Sequence, residues 1–509
     1  EITTRLVGSE MCIRDSTDLL RLGALPLAAL IAGCGGNAKK TEKLPNIVVI
    51  MADDLGYGDI SCYGATEIQT PGIDRLAREG LRQMNGHCTS ATSTPSRFAM
   101  LTGMYPWRVG AAILPGDAPM LIKEDMPTFP KMLKQAGYAT GVVGKWHLGL
   151  GNGNVNWNEP ITPSPNQIGF DYSYIMAATN DRVPTVYVKN GRVVNLDPND
   201  PIEVSYKHNF PGEPTGKDNP ELLRMHPSLG HNMSITNGIP RIGYMKGGKS
   251  ALWVDEEMYK VFLDEAKEYV KAHQQQPFFL YYALHQPHVP RLPNAMFAGK
   301  SKLGPRGDVI LEADYCVSEF LNYLDELNLT ENTIVIFTSD NGPVLDDGYQ
   351  DMAEEMNGNH KPAGPFRGWK CDPYEGGARI PMIVRWPGKI EAGTTSDALI
   401  CQVDFCPSFA ALLNTSYEVK DGENQIDALL GKSPEGRENL VLEGYGIDLW
   451  LKEGDWACIP EYTTRRGEIV EARLYNLKED IAQQHNLASE YPEKVREMTE
   501  KLQSIKARN

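Results

Sequence analysis

Four short runs of uninterrupted apolar residues, each closed by a cluster of polar side chains, limit what this chain can fold into more than any other feature. They are Pro45-Asn-Ile-Val-Val-Ile-Met51, Tyr138-Ala-Thr-Gly-Val-Val143, Phe278-Phe-Leu-Tyr-Tyr-Ala283 and Thr333-Ile-Val-Ile-Phe-Thr338. A run without polar alternation suits a strand covered on both faces, the habit of parallel sheets. Helical stretches stand between them, at Pro71 to Gly80, Pro127 to Gly137, Met258 to His273 and Leu311 to Leu327. This alternation predicts an α/β fold with a large, mostly parallel or mixed sheet flanked by helices. Ala378 to Trp386 reads as the last strand of that domain. The closing clusters are Asp53-Asp54, Lys145-Trp-His147, His285-Gln-Pro-His288 and Asp340-Asn341. In an open α/β sheet the carboxyl ends of the strands converge on one edge, where ligands bind, so these distant segments are expected to build one site.

A second feature supplies a nucleophile. In Cys88-Thr-Ser-Ala-Thr-Ser-Thr-Pro-Ser-Arg97, hydroxyl side chains crowd against one arginine just before an apolar segment. Pro95 is pre-set for a first helical turn and Ser or Thr can cap it. Backbone N–H groups and the helix dipole favour an anion there, and Arg97 adds a fixed cation. Asp53, Asp54, Asp340 and Asn341 offer hard oxygen donors with no soft ligand among them, a set for calcium or magnesium rather than zinc. Calcium is preferred because it accepts irregular oxygen geometry. Asp-Asp after one strand is ordinarily a turn or a cap; a matching Asp-Asn after a second strand turns the reading towards a metal. Lys145, His147, His288 and Lys370 are the candidate cations and proton carriers.

Ser93-x-Pro-Ser-Arg-x-x-x-Leu-Thr-Gly103 resembles the signature of type I sulfatases of the alkaline phosphatase superfamily, in which the leading Cys or Ser is oxidised to formylglycine. Cys88 lacks Pro-Ser-Arg at the required offset, so the resemblance selects Ser93. Asn-Ile-Val-Val-Ile-Met-Ala-Asp-Asp, Gly-Lys-Trp-His-Leu-Gly, His-x-Pro-His-x-Pro, Thr-Ser-Asp-Asn-Gly and Tyr-Glu-Gly-Gly-x-Arg also stand where that family has them. The resemblance implies that Asp53, Asp54, Asp340, Asn341 and the modified Ser93 hold Ca2+, and that Arg97 and Lys145 hold the modified side chain. It also implies that Lys370 and His288 contact the sulfate, with His288 protonating the leaving alcohol, and that His147 assists sulfate release. It further implies a dedicated maturase acting on Ser93, of the radical, oxygen-independent kind. Cys371 and Asp372 depart from the small or hydroxyl residues expected beside Lys370.

The remaining chain sets the context. Residues 150 to 250, rich in Pro, Gly, Asn and His, read as an irregular surface insertion shaping the substrate pocket, with His208, His226 and His231 as surface or hydrogen-bonding histidines. Residues 431–509 read as a small α+β subdomain ending in a helix from Tyr491 to Lys506, after a catalytic domain at 45–430. Residues 1–44 read as a leader, a lipoprotein-type signal and a tether. The apolar run 22–33 is too short to span a bilayer but fits a signal h-region, and Ile31-Ala-Gly-Cys34 resembles a lipobox that would lipidate Cys34. The expected setting is the bacterial periplasm or cell surface, with contact to membrane only through that anchor. A net charge of −16 argues against nucleic acid and requires local cations to overrule the global field if the substrate is an anion. Nine cysteines without paired spacing give no disulfide scaffold, and a Cys401–Cys406 bridge is not expected. The reading is a hydrolase of a sulfated carbohydrate, with a 6-O-sulfate of galactose or N-acetylgalactosamine as the favoured ester. The alternatives are a phosphodiesterase or phosphonate hydrolase of the same superfamily and a catalytically dead glycan-binding lipoprotein.

Overall fold

Successive side chains of a strand point to opposite faces, and in Asn46–Ala52 every residue is buried, so both faces must be covered. They are. Ile47, Val49 and Met51 join one apolar cluster with Phe98, Met132 and Phe409, while Val48 and Ile50 join another with Leu76, Phe262, Ile310 and Phe320. The helices Ser93–Thr102, Phe129–Gln135 and Phe405–Leu412 therefore pack on one face, and Pro71–Glu79, Met258–His273 and Gly304–Glu326 on the other. The computed structural model describes residues 43–508; the apolar run 22–33, Cys34 and nearly all of the tether lie outside the described residues.

The main sheet has ten strands and is mixed. Its centre is parallel: Thr333–Ser339, Asn46–Ala52, Phe278–Ala283, Ala139–Lys145 and Tyr172–Met176 lie side by side in that order. Four of these are the strands read from the sequence, and their carboxyl ends share one edge. Tyr172–Met176 falls inside the stretch expected to be irregular. Its buried Ser173 and two tyrosines break the apolar run that would have marked it. The chain then folds back through Tyr187–Lys189 and Arg192–Val193 as antiparallel strands. A second correction concerns Ala378 to Trp386. Glu375–Ala378 is a helical turn, and the strand runs only over Met382–Arg385, antiparallel to Thr333–Ser339. Pro381 has no N–H to give a ladder, so pairing begins after it.

Beyond residue 431, Asn439–Glu443, Leu449–Glu453, Trp456–Ile459 and Arg473–Asn476 form an antiparallel four-stranded sheet. The helix Pro492–Ala507 packs on it through Met498, Leu502 and Ile505, which are buried in the same cluster as Met51. A buried charge cluster ties this sheet to the helical turn Glu375–Ala378. Glu375 accepts from Lys452 Nζ at 2.8 Å and from Arg379 at 2.9 Å, with His87 Nε2 at 3.3 Å. Removing one member of such a cluster leaves the others charged and dry. Glu375→Ala is therefore expected to destabilise the fold by about 3–5 kcal/mol, read by urea unfolding. A loss below about 1 kcal/mol would show that water or a neighbour replaces the carboxylate.

Cys401 and Cys406 are both free thiols. Among the described residues no helix is long and apolar enough to cross a membrane.

Candidate active site

Ser93 opens the helix Ser93–Thr102, following Thr92 in extended conformation, and all ten residues of this helix are buried. Gly103, at φ 63°, ends the helix by donating its N–H to Ala99 O at 2.9 Å. The Ser93 hydroxyl sits where three strand ends meet. Its Oγ lies 3.2 Å from Asn341 Oδ1 and 3.4 Å from Asp53 Oδ1, and it accepts from Lys145 Nζ at 3.0 Å. Lys145 reaches it from the last position of its strand, beside Gly144. There, at φ 110°, a Cβ would stand 1.8 Å from Ala283 O, so only glycine allows the neighbouring strand this close.

The carboxylates and cations interlock around this point. Lys145 Nζ also binds Asp53 Oδ1 at 2.6 Å. Arg97 holds Asp340 Oδ2 at 2.7 Å, and Asp340 Oδ1 accepts the Asp54 backbone N–H at 3.1 Å. Asn341 donates to Asp54 Oδ1 at 2.8 Å, while Lys370 Nζ bridges Asp54 Oδ2 at 2.8 Å and Asp347 Oδ2 at 2.7 Å. His288 Nε2 stands 3.8 Å from Asp54 Oδ2. Its Nδ1 is 2.7 Å from the Val289 carbonyl, which can only accept, so the ring hydrogen sits on Nδ1 and the neutral Nε2 faces the cluster. His147, at φ 56°, places Nε2 2.9 Å from Leu114 O.

Burial and local charge set the protonation of these groups. Burial pushes Asp53 well above the usual carboxylate range, reinforced by Asp340 and Asp54 and opposed by Lys145. Burial would raise Asp54 too, but Lys370 and His288 outweigh it and hold it low. Arg97 and Lys145 likewise overcome burial at Asp340 and keep it ionised. Burial, then Lys370, pushes His288 down to about 4, and burial with Lys145 pushes His147 well below its ordinary value. Lys370 is held charged, above its usual value, because Asp347 and Asp54 overcome its desolvation.

These side chains can hold a metal ion. Asp53, Asp54 and His288 each present a ligand atom, all within 4.8 Å of one another. Asp53 Oδ2 is buried with no hydrogen-bond partner among the described residues, an arrangement that is costly for a carboxylate unless a cation completes it. Hard oxygen donors dominate, as calcium or magnesium requires. The site thus gathers the sequence-derived Asp53, Asp54, Ser93, Arg97, Lys145, His288, Asp340, Asn341 and Lys370, with His147 on the adjoining wall. Geometry adds His288 to the group able to touch an ion.

Above Ser93 opens a cleft of about 410 Å³, lined also by His147, Asp181, Arg182, His231, His288, Asp347, Lys370, Cys371 and Tyr445. Sequence reasoning missed Asp181, Arg182 and Asp347 as residues of the cleft; for His231 it allowed a surface or hydrogen-bonding role, and the structure shows the latter. His231 Nε2 is 2.8 Å from Asp181 Oδ2, and Asp181 also accepts from Arg182 Nη1 at 3.0 Å. Against burial, the Asp181 carboxylate raises the His231 imidazole and is itself held well below its usual range by Arg182 and His288. The available signal was the position of Asp181 and Arg182, just past the carboxyl end of a fifth parallel strand; with that strand unread, the signal was lost. His208 and His226 are exposed, as expected. Cys371 lies in the cleft wall at φ 75°, and Asp372 turns away to accept the Trp369 N–H at 2.9 Å.

A buried serine, three cations and four carboxylates at the floor of a polar cleft suit a hydrolase of anionic esters. The sulfatase family model matches residues 45–415, and the chain belongs to that family: it is a sulfuric ester hydrolase. It is 50% identical over 505 residues, 96% of this chain and 99% of the relative, to an N-acetylgalactosamine-6-O-sulfatase of Bacteroides thetaiotaomicron. It is 32% identical over 428 residues to human arylsulfatase A, covering 82% of this chain and 73% of that one. A solved structure from work on glycosaminoglycan metabolism by Bacteroides thetaiotaomicron superposes with a TM-score of 0.89 at 50% identity, over 92% of this chain and 100% of that one. A phosphonate monoester hydrolase of Agrobacterium radiobacter, at 16% identity and a TM-score of 0.56, shares the fold.

Proposed function

We propose that this sulfatase removes a 6-O-sulfate from a terminal N-acetylgalactosamine or galactose of a sulfated glycan, using formylglycine made from Ser93 by a maturase and Ca2+ held by Asp53, Asp54, Asp340 and Asn341. The observation that carries the chemistry is the placement of Ser93 Oγ between Lys145 Nζ and the Asp53 and Asn341 oxygens. The choice of sugar leans on the relative named for N-acetylgalactosamine 6-sulfate, which matches nearly the whole chain.

A formylglycine at position 93 supplies a hydrated aldehyde, whose second hydroxyl makes release of sulfate easy where serine alone has no such exit. A divalent cation supplies neutralisation of the ester oxygens and of the nucleophile. With Asp53 ionised against a bound cation, Asp53, Asp54, Asp340 and Asp347 carry one more charge than Arg97, Lys145 and Lys370, so a divalent cation would leave the floor positive and suited to an anionic ester. Lys145 orients the residue at 93, and Arg97 fixes Asp340. Lys370 and His288 face the sulfate oxygens from the opposite wall. His288 donates a proton from Nε2 to the leaving alcohol; the bound anion favours the charged ring that burial otherwise disfavours. His147, neutral and buried, is placed to take a proton as sulfate leaves.

Asp181, Arg182 and His231 form a rigid polar wall above this floor and are proposed to read the sugar hydroxyls, with the cleft volume of about 410 Å³ fitting a single sulfated pyranose. The two-metal phosphodiesterase reading has no observation in its favour: among the described residues a single group, Asp53, Asp54 and His288, brings three such ligand atoms together. A dead binding protein is disfavoured by the complete set of reactive groups. Export with a lipid at Cys34 and the division at residue 430 complete the proposal; intact mass of the mature protein tests the first.

Desulfation of 6-sulfated N-acetylgalactosamine by the matured enzyme is the decisive assay, set against the 4-sulfated isomer. His288→Ala is expected to slow this substrate by about 10²–10³-fold, but 4-nitrocatechol sulfate by less than about tenfold, because a good leaving group needs no proton. Equal losses on both would remove His288 from the proton-donor role.

A further inference from the structure

A second cleft, of about 300 Å³, opens beside the first and shares Ile113 and Tyr445 with it. Its other walls include Thr92, next to Ser93, together with Trp107, Glu443 and Arg465. Three features mark it as built for a ligand. Glu443 is 1% exposed, yet among the described residues neither of its carboxylate oxygens has a partner meeting hydrogen-bond geometry, an arrangement that natural interiors rarely tolerate. The Trp107 indole N–H is likewise buried without an acceptor. Arg465 is exposed at the rim, and among the described residues its one interaction is with the Tyr445 ring, 5.5 Å away. On a chain of net charge −16, a guanidinium without a carboxylate partner is conspicuous.

We propose that this cleft is the subsite for the sugar joined to the sulfated unit, and that the sugar it takes is a uronic acid. The inference rests on the reading that a terminal 6-sulfated N-acetylgalactosamine occupies the first cleft. Sharing Tyr445 and Ile113, the two clefts form one continuous trough in which adjacent pyranoses can lie. The half-exposed Tyr445 ring offers a flat apolar surface for the C–H face of a pyranose. Within this cleft Glu443 can accept from a sugar hydroxyl and the Trp107 N–H can donate to one. Burial pushes the Glu443 carboxyl up to about 8, against the opposing influence of the neighbouring Ser90 hydroxyl. Glu443 therefore presents a neutral acid that does not repel a carboxylate ligand. Arg465 supplies the planar fork that pairs with a carboxylate. A neutral hexose in the same place would leave that fork idle.

The test compares kcat/KM for three substrates of the matured enzyme. They are the 6-sulfated N-acetylgalactosamine monosaccharide, the same sugar linked to a uronic acid, and the same sugar linked to a neutral hexose. The uronate disaccharide is expected to exceed the other two by about tenfold, and Arg465→Ala to erase that advantage, since a charge-assisted hydrogen bond to a carboxylate is worth about that factor. Arg465→Lys, which keeps the charge, is expected to restore part of it. Equal kcat/KM for the two disaccharides, or an advantage that survives Arg465→Ala, overturns the subsite. If neither sugar is turned over while 4-nitrocatechol sulfate is, the sugar reading itself has failed. The cleft is then read by inhibition of the aryl substrate with the unsulfated uronate disaccharide. Inhibition weakened about tenfold by Arg465→Ala supports the subsite, and inhibition that is absent or unchanged overturns it.

Discussion

Ser93→Ala is expected to lower turnover of 4-nitrocatechol sulfate by on the order of 10⁴- to 10⁶-fold while leaving the unfolding midpoint unchanged. The change removes one oxygen and nothing that supports the helix, whose capping residue is Thr92 and whose end is set by Gly103. Lys145 loses a hydrogen-bond acceptor but keeps Asp53 at 2.6 Å, so no charge is stranded. The loss is therefore chemical rather than structural, and circular dichroism alongside the assay separates the two. A variant retaining more than about one per cent of activity would mean that the hydroxyl at 93 is not the attacking group. Mass spectrometry of the peptide spanning Ser93 in active wild-type protein completes the experiment. A species lighter by one dehydrogenation is expected, and active protein with wholly unmodified serine would refute the conversion.

Removal of the metal is expected to have the next largest effect. Chelation should reduce turnover by on the order of 10²–10³-fold and lower the melting temperature, with Ca2+ restoring both. Melting is the readout independent of chemistry. An ion that binds only the folded protein stabilises it by about 2.7 kcal/mol at a hundredfold excess over its Kd. Asp53→Asn should abolish this calcium-dependent shift, because it neutralises the carboxylate whose Oδ2 is buried without a partner. Lys145 and Lys370 bridge the carboxylates and keep the ion-free site folded, so chelation should silence the enzyme without unfolding it. A melting temperature indifferent to calcium would remove the ion from the site.

Much of this centre was legible before any coordinates because the chemistry sits at the carboxyl ends of strands that announce themselves as unbroken apolar runs. Asp53, Asp54, Lys145, His288, Asp340 and Asn341 each follow such a run, and sheet geometry does the rest. Lys370 lies on a loop whose place is fixed by backbone bonds from Lys370 to Pro343 and from Cys371 to Ala91, which no periodicity reveals. Asp181, Arg182 and His231 were hidden for a related reason. Their strand carries Ser173 and tyrosines in place of Val and Ile, and His231 meets Asp181 across residues with no regular pattern. The unpartnered Glu443 is invisible in a sequence, where a glutamate ending a strand in a soluble protein reads as surface.

The seclusion of position 93 also orders events in the life of the protein. Ser93 is 2% exposed, and every residue of the helix it opens is buried. No second macromolecule can grip an extended peptide there once the sheet has closed over it. The conversion proposed for Ser93 therefore requires access to the nascent or still-unfolded polypeptide, and rapid collapse of the domain would compete with it. On that proposal, molecules that fold before the conversion would be stable and inert.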